Sequence, residues 1–268
     1  MSTQITTAFV EQYKSNVFHL AQQKGSRLRD TVRSETVTGK AHFFERIGST
    51  AAEKRTSRHS DTPRMDTPHS RRKVTMDDYD WADLIDNEDK VRMLISPTSD
   101  YALAGAYAMG RAMDDAIISA ATGTSYGGVS GGTSVVLPAG QKIVHGGTNL
   151  TIAKCLAAKK LLDAAEVDPD EQRFLICTAD QISDFLNITE VKSSDYNTIK
   201  ALAQGQIDTY LGFKFIRSER LGQDATPNRQ VLAFTKSAIG LALGADITTK
   251  ISERSDKNYA TQVFLSMT

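Results

Sequence analysis

The chain of 268 residues carries no net charge, almost no cysteine and no long apolar run, and each absence removes a class of function. Its two cysteines, Cys155 and Cys177, are too few for a disulfide framework and wrongly spaced for a metal site. Both sit in apolar contexts, where a free thiol behaves as a small buried hydrophobe, and a disulfide-poor chain suits a reducing interior. The 32 Lys and Arg are matched by 32 Asp and Glu, whereas a free-standing nucleic-acid binder usually carries a strongly basic total. The longest apolar stretch, around Tyr101 to Ala108, falls far short of the ~20 residues that span a bilayer. The first residues lack the basic segment and apolar core of a signal peptide. The chain therefore reads as soluble and cytosolic at synthesis.

The usual signatures of catalysis are missing too. His19, His42, His59, His69 and His145 are scattered, while zinc needs three or four clustered ligands. Gly127-Gly128 and Gly131-Gly132-Thr133-Ser134 lack the phosphate-loop pattern, and no helix follows them within a turn. They read as a flexible connection. No serine lies in a GxSxG elbow. The paired carboxylates Asp114/Asp115 and Asp77/Asp78 are adjacent, so the first pair points about 100° apart on a helix and cannot flank a bond as a general acid and base must. Salt bridging or solvated surface is the reading for them. No catalytic residue, cofactor or metal is expected.

What the chain does have is segregated charge. Met1 to Thr75 holds fourteen Lys and Arg against seven acids, a surplus of +7; Met76 to Lys90 holds seven acids against Lys90 alone. Such segregation suits complementary contacts between copies of one protein. Residues 26–75 alternate like a β-hairpin yet hold too little apolar material to bury one, and an isolated two-stranded arm is marginal in water. If ordered, it is ordered by a neighbouring molecule. The doubled Asp61-Thr-Pro and Asp66-Thr-Pro mark turns near its tip, and Val74 to Ile85 reads as its return.

Around the arm, apolar spacing predicts an amphipathic helix over Thr6 to Gln23. A long Ala- and Met-rich helix runs over Thr98 to Ala121, capped by Ser96-Pro97, with Tyr101, Ala104, Ala108, Met109, Ala112, Ala116 and Ile117 on one face. Helices are also predicted at Asn149 to Ala165, Ala179 to Leu186, Asp195 to Ala203 and Lys236 to Leu243. Strands are predicted at Ser134 to Leu137, Arg173 to Thr178, Ile247 to Ser252 and Ala260 to Met267, with a strand pair at Gln206 to Arg217 and Gln230 to Thr235. This mixture without a strict βαβ rhythm argues an α+β fold.

The order of these elements resembles the major capsid protein of tailed bacteriophages. The run Asp100-Tyr-Ala-Leu-Ala-Gly-Ala-Tyr-Ala-Met-Gly-Arg-Ala-Met-Asp-Asp-Ala-Ile-Ile-Ser-Ala-Ala-Thr-Gly resembles that family's spine helix, and Tyr210-Leu-Gly-Phe-Lys-Phe-Ile resembles the strand after its central helix. Ala233-Phe-Thr-Lys-Ser-Ala-Ile-Gly-Leu-Ala is similar to its step back into the peripheral domain, and Ser252-Glu-Arg-Ser-Asp-Lys to its late charged turn. The resemblance implies an N-terminal arm (1–30) and an extended β-hairpin loop (31–88). It further implies a peripheral domain with the spine helix (89–148 and 236–268) and an axial domain (149–235). It implies a shell subunit, not an enzyme, that forms pentamers and hexamers of an icosahedral virion shell around double-stranded DNA. Its implied partners are itself, a portal, the packaged DNA touched non-specifically on the inner face, a decoration protein in some shells, and no membrane. The first predicted helix is too short to be an internal scaffold, which implies a separate scaffolding protein.

For contacts between subunits, the expectation is that basic Arg55, Arg58, Arg64, Arg71 and Arg72 meet acidic surface on a neighbour, with Asp77 and Asp78 leading the acidic segment. Phe43, Phe44 and Trp81 are expected to bury against that neighbour and to matter more than any exposed ion pair. The alternatives are an encapsulin-like compartment shell and a nucleic-acid-binding protein that uses the basic arm; a hydrolase has no assembled site to recommend it.

Overall fold

The computed structural model describes residues 22–59, 61, 62, 64–88, 98–188, 209–224 and 228–268. The Ala-rich run forms helix α1 (Thr98–Thr122), about 37 Å long at 1.5 Å per residue. Of the expected face, Met109 and Ile117 are buried, joined by Met113 and Ile118, while Tyr101 and the alanines are half-buried. Glycine sets how closely the helix sits: a Cβ on Gly105 would lie 2.6 Å from Trp81 Cε3 and 2.7 Å from Leu265 Cδ1. Below it lies a sheet ordered β12 (Thr248–Arg254), β13 (Ala260–Met267), β4 (Tyr79–Ile85), antiparallel throughout. Val263, Leu265 and Met267 face α1 while Gln262, Phe264 and Ser266 do not, the period-2 alternation of a one-sided sheet.

A second sheet runs β10 (Leu232–Thr235), β7 (Arg173–Cys177), β9 (Phe213–Arg217), β8 (Thr209–Tyr210). Every residue of β7 is buried, because both of its faces are covered. Phe174 and Ile176 join the core under α1, with Leu28, Val32, Leu221 and Phe234. Leu175 and Cys177 join a second core built with Cys155 of α2 (Ile152–Ala164), Phe185 of α3 (Ala179–Asn187), Phe213 and Phe215. Thr151 caps α2 by accepting from the Lys154 amide, a standard helix start.

A third sheet, β2 (Ala41–Ile47), β3 (His69–Thr75), β5 (Ser125–Gly127), β6 (Thr133–Val135), carries the basic hairpin. The last is a two-stranded parallel pairing of β1 (Arg33–Thr36) with β11 (Gly240–Leu243).

Four expectations are corrected here. The arm does not begin at residue 26 or 31: Leu28, Val32 and Val37 are buried and β1 pairs with β11, so that stretch folds onto the chain's own body. Its proposed return, β4, pairs with β13 under α1 instead, leaving β2 and β3 as the hairpin. Lys236 to Leu243 is not a helix but a short 3-10 turn followed by β11. There Ile239, Leu241 and Leu243 alternate into the core, and pairing with β1 outweighs the helix-like composition. Finally, β9 and β10 are not partners of each other; β7 lies between them. The helix expected over Thr6 to Gln23 (apart from Gln22 and Gln23), the Ser96-Pro97 cap and the helix over Asp195 to Ala203 lie outside the described residues.

Candidate functional site

Successive residues of β2 point to opposite faces, and this separates Phe43 from Phe44. Phe43, Lys73 and Tyr126 share one row of the sheet, with Glu45 and Arg71 in the next. Arg71 holds that face together. It pairs with Glu45 at 2.8 Å, sits 5.4 Å over the Phe43 ring and donates to the Val129 carbonyl at 3.4 Å. The turn between β5 and β6 curls back over this face, since a Cβ on Gly131 would lie 2.4 Å from Lys73 Cδ.

The other face fixes the root of the hairpin. A Cβ on Gly240 would lie 2.9 Å from Phe44 Cζ, the Arg33 guanidinium stands 5.1 Å over the Phe44 ring, and His42 meets that ring edge-on at 5.1 Å. Arg72 lies along Gly127, where a Cβ would come within 2.9 Å of Nη1. Phe44, Arg71 and Arg72 are therefore engaged with their own chain, and Phe43 is half-buried beneath Arg71.

Beyond the hairpin, residues 48–68 form a tip without regular structure among the described residues. Arg55, Arg58 and Arg64 are exposed there, as expected. Arg55 Nε donates to the Ser57 carbonyl at 2.8 Å, and Arg64 stands 4.0 Å from Asp66 with both side chains nearly free. Asp77 and Asp78 are exposed, and Asp78 accepts from Thr268 Oγ1 at 2.8 Å. Trp81 corrects its expectation. It is packed between β4 and α1 as part of the chain's own core, because Gly105 opens the space for it.

Two features escaped the sequence reading. Segment 123–147 reads in sequence as a glycine-rich connection with one short strand, yet it exposes Tyr126, Val129, Val136, Leu137, Ile143 and Val144; Val129 is 88% exposed and Val144 79%. With Ile47 at 66%, these side chains put large apolar surface on the arm's sheet and the loop that follows. Large exposed apolar side chains concentrated in one segment make it a candidate contact surface. The signal was there in Val135-Val136-Leu137 and Ile143-Val144, set among glycines. Secondly, Asp114 is not solvated but wholly buried. Asp115 does bridge as expected, to Arg220.

Elsewhere the chemistry is quiet. Burial pushes the Cys155 thiol up to about 11 and that of Cys177 to about 12. Among the described residues no group of three His, Cys, Asp or Glu is placed to hold a metal, and no helix is long and apolar enough to cross a membrane.

Comparison with known proteins agrees with this architecture. The family model described as phage capsid protein matches residues 5–268. Among solved structures, the capsid of the cyanophage P-SCSP1u is similar at 20% identity over 98% of this chain and 88% of that one, with a TM-score of 0.69. A structure of Mycobacterium phage Che8 is similar at 15% identity over 97% and 91%, also with a TM-score of 0.69. The capsid asymmetric unit of cyanophage Pam1 follows at 15%, 97%, 91% and 0.66. No curated protein matches the chain. With the family model covering nearly its whole length and the same fold recurring in those capsids, the chain belongs to the phage capsid protein family, a structural subunit of a virion shell with the tailed-phage major capsid fold.

Proposed function

We propose that copies of this chain close into pentamers and hexamers of an icosahedral shell around double-stranded DNA, each arm lying across a neighbouring subunit. The observation that carries this reading is the arm itself. Its tip, 48–68, has no buried described residue, and its sheet exposes Ile47 and Tyr126, with Val129 in the turn after β5. A subunit that stayed alone would gain nothing from that surface, whereas heterologous contacts that close by symmetry make shells. The tip arginines Arg55, Arg58 and Arg64 and the exposed Asp77 and Asp78 are the first candidates for meeting across subunits, with charge guiding the encounter and apolar burial holding it.

The chain divides into an N-terminal arm, an extended loop centred on β2 and β3, a peripheral domain of α1 and its sheet, and an axial domain over about 149–235. The subunit does no catalysis. It assembles with a separate scaffolding protein and a portal, and touches DNA only non-specifically. Negative-stain electron microscopy of the protein co-expressed with its scaffold tests this. Closed particles of uniform diameter are expected; only dispersed subunits or open sheets would contradict it.

A further inference from the structure

One turn of α1 grips the N-terminal segment. A Cβ on Gly110 would lie 2.4 Å from the Gly25 carbonyl carbon and 2.5 Å from the Ser26 nitrogen, so the backbone crosses directly against the helix. One turn on, the buried Asp114 carboxylate accepts from Ser26 Oγ, from the Arg27 amide at 3.1 Å, from the Leu28 amide at 3.1 Å and from Gln23 Nε2. Arg111 adds a bond to Gln22 Oε1 at 2.9 Å. Asp114 makes no ion pair among the described residues; the nearby Arg220 guanidinium feels its charge but is bonded to Asp115. A buried carboxylate is tolerated only while its oxygens are hydrogen-bonded. The donors come from 23–28, so lifting that segment strands the charge.

The same turn also reaches the axial sheet. Asp115 binds Arg220 through two nitrogens, and Arg220 directly precedes the buried Leu221. Arg27, whose amide is on Asp114, donates through Nη1 to the carbonyl of Arg217, the last residue of β9, at 2.8 Å. Helix, N-terminal segment and end of β9 thus form a closed three-cornered circuit.

We propose that Asp114 is a positioning residue that pins residues 23–28 to α1, and that the Asp115–Arg220 and Arg27–Arg217 bonds couple release of this segment to movement of the axial sheet. The inference rests on the fold alone and stands apart from how shells close.

Limited trypsinolysis of the purified full-length subunit tests it, because Lys24 and Arg27 lie within the pinned segment and cleavage there reports local opening. Asp114→Asn keeps one acceptor oxygen and should speed cleavage after Lys24 and Arg27 by about tenfold, while cleavage after the exposed Arg55 and Arg58 stays unchanged as the internal reference. Asp115→Asn touches none of the segment's own bonds, yet should speed the same two cleavages by about threefold through the coupling. Wild-type rates at Lys24 and Arg27 in Asp114→Asn overturn the pin; wild-type rates in Asp115→Asn overturn the coupling. Should Asp114→Asn also open the buried Arg173 site, Gly110→Ala decides. That variant keeps the carboxylate and displaces only the Gly25–Ser26 crossing, so the same selective pattern supports the pin and wild-type protection refutes it.

Discussion

Asp114 and Asp115 are neighbours of the same chemical type, and the helix sends one into the interior and the other to Arg220. Periodicity of apolar residues gave no warning, because a polar residue on the buried stripe reads as an interruption until its donors are known. The small residues were just as hard to interpret. Gly105 in an Ala-rich run looks incidental but marks where Trp81 and Leu265 touch α1. Gly105→Ala should therefore destabilise the subunit by about 1–3 kcal/mol through overpacking, read as a lower thermal midpoint. The cysteines were legible, since apolar flanks meant burial. Their raised values leave very little thiolate near pH 8, and the thiolate is the reacting species. Iodoacetamide should label neither Cys155 nor Cys177 in the native subunit at pH 8, and both after unfolding in urea, counted by intact mass.

Among elements, α1, β7 and β13 could be read directly because their patterns are long and their partners cover a whole face. The arm was legible as an arm, but not its limits. Alternation says that β4 is a strand and cannot say whether β3 or β13 lies beside it; Trp81 against Gly105 settles that through packing no local pattern encodes. The division of labour within Phe43-Phe44 follows from the pleat alone. Phe44→Ala removes the contact with Gly240 and Arg33 at the root of the hairpin and should cost about 1–2 kcal/mol in the isolated subunit, measured by urea denaturation. At the tip, exposed ion pairs are worth ~0–1 kcal/mol each. Reversing Arg55, Arg58 or Arg64 singly to Glu should leave particle yield near wild type. Reversing all three should lower it severalfold, with the loss smallest at high salt, where exposed charges are screened. Yields counted by sedimentation that do not fall for the triple variant would remove the tip from the contact.

For the whole molecule, the sheets are built from segments far apart in the chain: β1 with β11, β4 with β13. Pairings of that span leave no trace in local spacing, so only the ordered resemblance of several segments disclosed the architecture in advance. What physical reasoning alone did disclose was an imbalance between a body that satisfies itself and a basic arm too poor in apolar residues to bury itself. The central claim is that a sibling subunit supplies what this hairpin lacks. Amide hydrogen exchange on the dilute subunit and on assembled particles tests it most directly. Peptides over the tip, 48–68, should exchange within seconds in the subunit and slow by at least about tenfold in the particle, while β7 and β13 stay protected in both. Equal protection of 48–68 in the two states would contradict the account.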